Sequence, residues 1–209
     1  MSRVLTREEG KLITRRRLVE AATQLLGKHG LAGLSASAVA REAGVAQPTF
    51  YVHFRDKEDL LRTIAADKIG GLRAALRAAR ERVRAGEGVE AIRETFRLPL
   101  RAFVVAEPEL FRLYLRALHQ PASPIGEHAR RLFDEFRQDL AEDLARLGIP
   151  ASTPSERQQL DMIAEAMIAQ TQALGAAYLE GRYSNLEDAV EVLTRFAVGV
   201  LGLGAGVQL

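Results

Sequence analysis

Apolar residues recur along the chain at three- and four-residue spacings, and no stretch alternates Val, Ile, Thr and aromatics at a period of two. This is the pattern of helices that each bury one stripe, and it argues against strands. Glycine and proline punctuate it. Gly30, Gly33, Gly44 and Pro48 cut residues 1–55 into three short helices. Longer helices are then separated at Gly86 and Gly88, at Ala106-Glu107-Pro108, at Pro121 and Pro124, and at Gly148-Ile149-Pro150. The predicted helices span about 12–28, 35–43, 47–53, 57–85, 89–105, 108–118, 125–146, 155–181 and 185–203. An all-α fold of about nine helices is expected, in two parts: residues 1–55 and residues 56–209.

The first part is the more informative. Leu12, Leu18, Ala21, Ala22, Leu25 and Leu26 form the predicted inner face of a first helix, with Gly30 available as its left-handed C′ residue. Ser35 is placed to cap a second helix, Ala36 to Ala43. Gly44-Val45-Ala46 leaves room only for a tight corner before a third helix, which carries Pro48 near its first position, where a missing N–H costs nothing. Two helices joined by a short Gly-containing turn, after a supporting first helix, describe a helix-turn-helix. Further on, Leu60, Leu61, Ile64, Ala65, Ile69, Leu72, Leu76 and Ala79 share a face of the long helix 57–85, and Gly70-Gly71 is a point where it could bend. Pro99 predicts a kink between Phe96 and Phe103.

Charge sharpens the picture. Net charge is only +2, but residues 1–55 hold nine Lys or Arg against four Asp or Glu, and the remainder holds 20 against 23. A basic quarter on a slightly acidic body suggests that the first part meets a polyanion. Gln47, Thr49, Tyr51 and His53 crowd hydroxyls, an amide and an imidazole onto the short third helix, while Phe50 and Phe54 form its inward face; such a surface suits bases and phosphates. Arg15, Arg16 and Arg17, preceded by Arg3, Arg7 and Lys11, sit at the start of the supporting helix, where they either flank the contact with phosphate or form a solvated face. Ser35 is a cap first and a phosphate donor second, and Ser37 and Arg41 share its helix's polar side.

The segment Ser35-x-x-x-Val39-Ala40-x-x-Ala43-Gly44-Val45-x-x-x-Thr49-Phe50-Tyr51-x-His53-Phe54-x-x-Lys57-Glu58-x-Leu60 resembles the DNA-binding signature of the TetR family of transcriptional regulators over about 50 residues. It departs at Ala46, where a capping Ser is common, and at Phe50, where Leu is common. The resemblance implies a three-helix DNA-binding head followed by a helical ligand-binding and dimerisation domain. It implies DNA contacts from Arg15, Arg16, Ser35, Ser37, Gln47, Thr49, Tyr51, His53 and Lys57. Thr14 to Ala22, Ala40 to Gly44, His53 to Asp56, Leu110 to Arg116 and the N-terminal Ser2 to Glu9 are further similar to DesT/FabR-type regulators of unsaturated fatty-acid synthesis. From that follow the expectations of a repressor, a palindromic operator, a homodimer and control by long-chain fatty acyl-CoA. A drug-efflux repressor answering another hydrophobic molecule is the alternative.

The second part, about 150 residues, far exceeds what a DNA head needs. Phe96, Phe103, Phe111, Tyr114, Leu115, Phe133, Phe136, Met162 and Met167 supply large apolar groups there, as core and as candidate lining of an effector cavity. Arg112, Arg116, Arg130 and Arg131 are candidates for the phosphates of CoA. The last two helices carry Ile163, Met167, Leu174, Ala177, Val190, Leu193, Phe196, Ala197, Val200 and Leu201 and are expected to form a four-helix dimer interface, Gly199 and Gly202 allowing close approach.

Other function classes find little support. The absence of Cys excludes a disulfide scaffold and a thiol nucleophile. His29, His53, His119 and His128 are not at metal-ligand spacings, so no metal and no cofactor are expected. The glycines of Gly199 to Gly206 follow no strand, and no nucleophile accompanies Asp161, Glu165 and Glu180, so an enzyme is not expected. The N-terminus lacks a signal-peptide core and no apolar run reaches bilayer length, which makes a cytoplasmic protein without membrane contact the expectation.

Overall fold

The computed structural model describes residues 6–120 and 122–202. The N-terminal segment through Leu5, Pro121, Leu203 and the glycines at 204 and 206 lie outside them. Nine α-helices are described: α1 Arg7–His29, α2 Ala36–Glu42, α3 Gln47–His53, α4 Lys57–Arg84, α5 Gly88–Pro99, α6 Pro108–Leu118, α7 Pro124–Arg146, α8 Pro154–Leu179 and α9 Leu186–Val200. A single 3-10 turn occupies Leu31–Gly33 and a π-helical turn Leu100–Val105. The chain forms two compact units, Met1–Ile69 and Gly70–Leu209. The first takes in the opening turns of α4, because Leu60, Leu61 and Ile64 are buried.

In the first unit α1 packs on α2 and α2 on α3. The helix α1 starts earlier than its apolar stripe suggests: Thr6 and Glu9 form a reciprocal capping box that satisfies its first donors. Its inner face is Leu18, Ala21, Ala22, Leu25 and Leu26. Leu12, expected with them, is 66% exposed. Six residues before Leu18, at ~100° each, put it about 120° off the stripe, and the inward positions one turn up are taken by Thr14 and Arg15. Gly30 ends α1 with φ 61 and ψ −165, positive in φ but extended in ψ and so not the left-handed cap expected.

The second unit is built on two apolar clusters. One joins α5, the π turn, α6 and α9 through Ile92, Phe96, Leu100, Val104, Phe111, Val190, Leu193 and Ala197. The other joins α7 and α8 through Ala141, Leu144, Leu160 and Ala164. Met167 and Leu201 pack against both. The kink expected at Pro99 takes the form of the π turn that follows it. Proline removes a backbone donor and crowds the preceding turn, and the wider winding closes with Ala106 N–H on the Arg101 carbonyl, at 3.0 Å. That turn is held tightly against α8: a Cβ on Gly175 would lie 2.8 Å from Val104 Cγ2 and 3.1 Å from Phe111 Cζ.

Ionic pairs tie α4 to α7 within this unit. Arg73 chelates Asp139 through Nε at 2.7 Å and Nη2 at 3.0 Å and also meets Glu135, and Arg77 lies 3.8 Å from Asp139. Deepest is Arg80 with Asp143, whose side chains are both 9% exposed.

The last two helices serve the interior more than the sequence suggests. Ala177, Val190, Leu193 and Ala197, expected at a subunit interface, are buried within the unit. Phe196 and Val200, expected with them, do face outward. Val192, Phe196 and Val200 stand exposed at four-residue intervals on α9, and Met162, Ala166, Ala169 and Ala173 are exposed on α8.

Candidate functional site

The head presents α3 as its projecting helix. Gly44, at φ 65, turns the chain between α2 and α3 in a conformation that side chains resist. Arg17 fastens that corner by donating from Nη2 to the Ala43 carbonyl at 2.6 Å. Ala46 begins α3 without a side-chain cap. Packing stabilises this helix instead: Phe50 is fully buried, Phe54 nearly so, and their rings lie 5.7 Å apart. At about 2–3 kcal/mol for each buried phenylalanine, this outweighs a missing cap of about 1 kcal/mol. The Tyr51 ring meets Phe50 edge-on at 5.3 Å, which aims an otherwise exposed phenol outward.

An open groove runs between the start of α1 and α3, lined by Arg7, Glu8, Gly10, Lys11 and Thr14 on one side and Thr49, Val52 and His53 on the other. Burial, then the nearby charges of Lys11 and Arg15, hold the His53 imidazole below its ordinary range, so it is neutral at pH 7. A neutral imidazole beside two cations is a ready hydrogen-bonding partner for an anion, which would raise its proton affinity in turn. Ser35 Oγ accepts from Ala38 N–H at 3.1 Å and so caps α2 as expected. Asp56 does the same for Asp59 N–H at 2.7 Å, setting the start of α4 beside Lys57.

In the second unit Phe96 and Phe111 are buried in the first apolar cluster, with Phe103, Leu115 and Met167 packed against it. Tyr114 is the polar exception: Gln172 donates to its oxygen at 3.2 Å, and burial pushes its phenol well above the ordinary range, so it stays protonated. Phe133 and Phe136 are half-buried on α7. Met162, expected with them, is 63% exposed on the outward face of α8 and does not share that interior. Of the candidate cations, Arg112 pairs with Glu109 at 2.5 Å and Arg130 reaches the Leu118 carbonyl at 3.4 Å. Among the described residues no group of His, Asp and Glu could hold a metal ion, and no helix is long and apolar enough to cross a membrane.

Residues 18–64 match the family described as bacterial regulatory proteins, tetR family. The head is a TetR-type helix-turn-helix. The whole fold is also that of solved regulators. A transcriptional regulator from Rhodococcus sp. RHA1 superposes with TM-score 0.70 at 22% identity, over 93% of this chain and 99% of that one. The fatty acid degradation regulator FadR of Bacillus halodurans does so with TM-score 0.67 at 18% identity, over 93% and 97%. Thermus thermophilus FadR, a TetR-family transcriptional repressor solved with lauroyl-CoA, gives TM-score 0.58 at 23% identity, over 93% and 96%.

On the TetR-type head the predicted contact residues are arranged unequally. Ser35, Ser37, Gln47 and Tyr51 are exposed, and Thr49, His53 and Lys57 half-buried. Arg16 is exposed, whereas Arg15 is half-buried: its Nη2 donates to Thr63 Oγ1 at 3.2 Å and its guanidinium stacks 4.5 Å from the centre of the Phe54 ring. Arg15 therefore braces α1 against α4 and the end of α3. The groove also brings in Lys11, expected with Arg3 and Arg7 as flanking charge, and Val52, which sequence did not single out. The Thr6-x-x-Glu9 box extends α1 back to Arg7 and so puts Lys11 on its second turn. Gln172 carried no local signal.

Proposed function

We propose that this protein is a transcriptional repressor that binds a palindromic operator as a homodimer, and that bound long-chain fatty acyl-CoA sets its grip on DNA. The observation that carries the reading is the TetR-type head, with its polar α3 face beside a groove that carries Arg7 and Lys11, together with a helical body far larger than a head requires. Gln47, Thr49, Tyr51 and His53 meet base edges and phosphate, Lys57, Ser35 and Ser37 meet phosphate, and Lys11 and Arg16 flank them. Arg15 positions this surface from inside.

Two-fold symmetry of the operator requires a two-fold dimer. Its interface is the exposed apolar face of Val192, Phe196 and Val200 on α9 with Met162 and the alanines of α8. Small residues on α8 let a partner helix approach, while Phe196 supplies the large apolar anchor.

The fatty-acid reading is supported by the resemblance to DesT/FabR-type regulators and by the fold shared with two FadR proteins. The acyl chain is held among Phe96, Phe103, Phe111, Leu115 and Met167, with Phe133 and Phe136 from α7. Tyr114 and Gln172 offer a polar pair beside an apolar tail. Arg116 and Arg131 are exposed for the CoA phosphates. Saturated and cis-unsaturated tails have nearly equal apolar area, so only a packing difference between them can switch the protein, and only to the extent of their differential affinity for two states. The π turn after Pro99, packed on Gly175, is where such a difference acts. Titrating oleoyl-CoA and palmitoyl-CoA separately into the protein–operator complex tests this: unequal shifts in DNA affinity support it. Identical shifts, or none from either, place the effector outside this class and favour a drug-efflux repressor.

A further inference from the structure

We infer that Val52 reads sequence: its isopropyl group packs on the C5-methyl of a thymine in each operator half-site, fixing a T at one symmetric position. The inference rests on the DNA-binding reading above and concerns a residue to which that reading gives no role.

Three observations converge on it. First, direction: Val52 follows Phe50 by two residues, about 200° around the helix. Phe50 is fully buried and Val52 is 67% exposed. Val52 therefore stands at the crest of α3, diametrically opposite the side chain that anchors the helix to the head. A duplex laid against the outer face of α3 meets this crest first. Second, surroundings: Val52 lines the groove with Thr49 and His53, facing a wall in which Arg7 and Lys11 outnumber Glu8. Cations along the groove hold phosphate and thereby set the depth at which the crest sits. Third, chemistry: valine neither donates nor accepts hydrogen bonds, so it has nothing to offer phosphate, guanine, cytosine or the edge of adenine. The one apolar feature in the major groove is the thymine methyl. A β-branched side chain in a helix is confined largely to one rotamer, so little freedom is lost when it docks. A lone exposed valine is unremarkable on most surfaces; at the crest of a groove-entering helix it is a reading head for one methyl.

The test uses the full-length protein and the duplex it enriches from a random pool. Each thymine of the half-site is replaced in turn, symmetrically, by deoxyuridine, which removes only the methyl. Binding is then measured for wild type, V52A and V52T. Losing one buried methyl weakens binding about four-fold per half-site. The expected result is one deoxyuridine position that costs wild type this much, costs V52A nothing, and costs V52T an intermediate amount because threonine keeps one methyl. Unchanged circular dichroism melting of V52A accompanies it, since the side chain is largely exposed. A deoxyuridine penalty equal in wild type and V52A, or no penalty at any position, overturns the assignment of Val52 while leaving the DNA-binding reading intact. A pool that yields no enriched sequence overturns that reading and this inference with it.

Discussion

Replacing Asp143 by alanine strands the Arg80 guanidinium in a site where both side chains are only 9% exposed. Breaking a buried ion pair from one side costs about 3–5 kcal/mol, mostly because the remaining charge has lost both water and partner. Two details of the site set the value at the lower end. Asp139 lies near enough to Arg80 to supply part of the lost attraction. Arg146, the other partner of Asp143 at 2.8 Å, is half-exposed and also reaches Glu142, so its loss adds well under about 1 kcal/mol. D143A is therefore expected to lose about 3 kcal/mol. With an m-value of about 3 kcal/mol/M for a chain of this size, the urea midpoint falls by ~1 M. The informative partner variant is R80M/D143L, which removes both charges and fills the space with apolar atoms. It is expected to recover wild-type stability or exceed it. Far-UV circular dichroism against urea reads both. A D143A loss below about 1 kcal/mol, or a double variant as unstable as the single one, would refute the view that this pair is desolvated and mutually dependent.

Three other expectations follow from the same structure. Gly175→Ala gains about 1 kcal/mol of helix propensity but forces its methyl against Val104 and Phe111, for a net loss of about 1 kcal/mol and a fall in Tm of ~2–4 °C; a higher Tm would show that the π turn is not tightly seated on α8. Burial works to raise the Asp139 pKa, but the hydrogen bonds and charge of Arg73, with Arg77 and Arg80, outweigh it and hold the carboxyl below its ordinary range. Its contribution is thus full above the unfolded value near 3.8 and is lost as pH falls through the lower folded value, so D139N is less stable at neutral pH and less sensitive to acid below pH 4, as acid titration followed by circular dichroism would record. At the operator, Tyr51→Ala weakens binding about ten-fold or more without lowering Tm, whereas replacing Lys11 or Arg16 by Ala flattens the dependence of log affinity on log salt by about one unit each; Tyr51→Ala with unchanged affinity would move the reading surface off α3.

Much of this molecule was legible before any packing was known, and what was legible is local. Helix starts at Pro108 and Pro124 and the corner at Gly44 are fixed by proline's missing N–H and by a backbone that only glycine adopts easily. Ser35 caps α2 three residues away, and Phe50 and Phe54 share a face because they are one turn apart. Such effects act within about four residues, which is why the spacing of the head could be recognised from the chain alone. The misreadings arose where a choice between faces had to be made at a distance. Leu12 counts as apolar in any pattern, yet the face that enters the head at its level carries Thr14 and Arg15, because Phe54 and Thr63 wait there. Arg73 and Asp139 are 66 residues apart and Arg80 and Asp143 are 63 apart; nothing local pairs them. The helix α9 is apolar on two sides, and only docking against α5 and α8 decides that Val190, Leu193 and Ala197 are core while Val192, Phe196 and Val200 are left facing out. Sequence specifies where helices begin, end and turn, since backbone hydrogen bonding is satisfied over a few residues. Which stripe of each helix becomes interior, and which charges meet, is settled by the rotation of whole helices against one another, and that rotation exists only in the packed body.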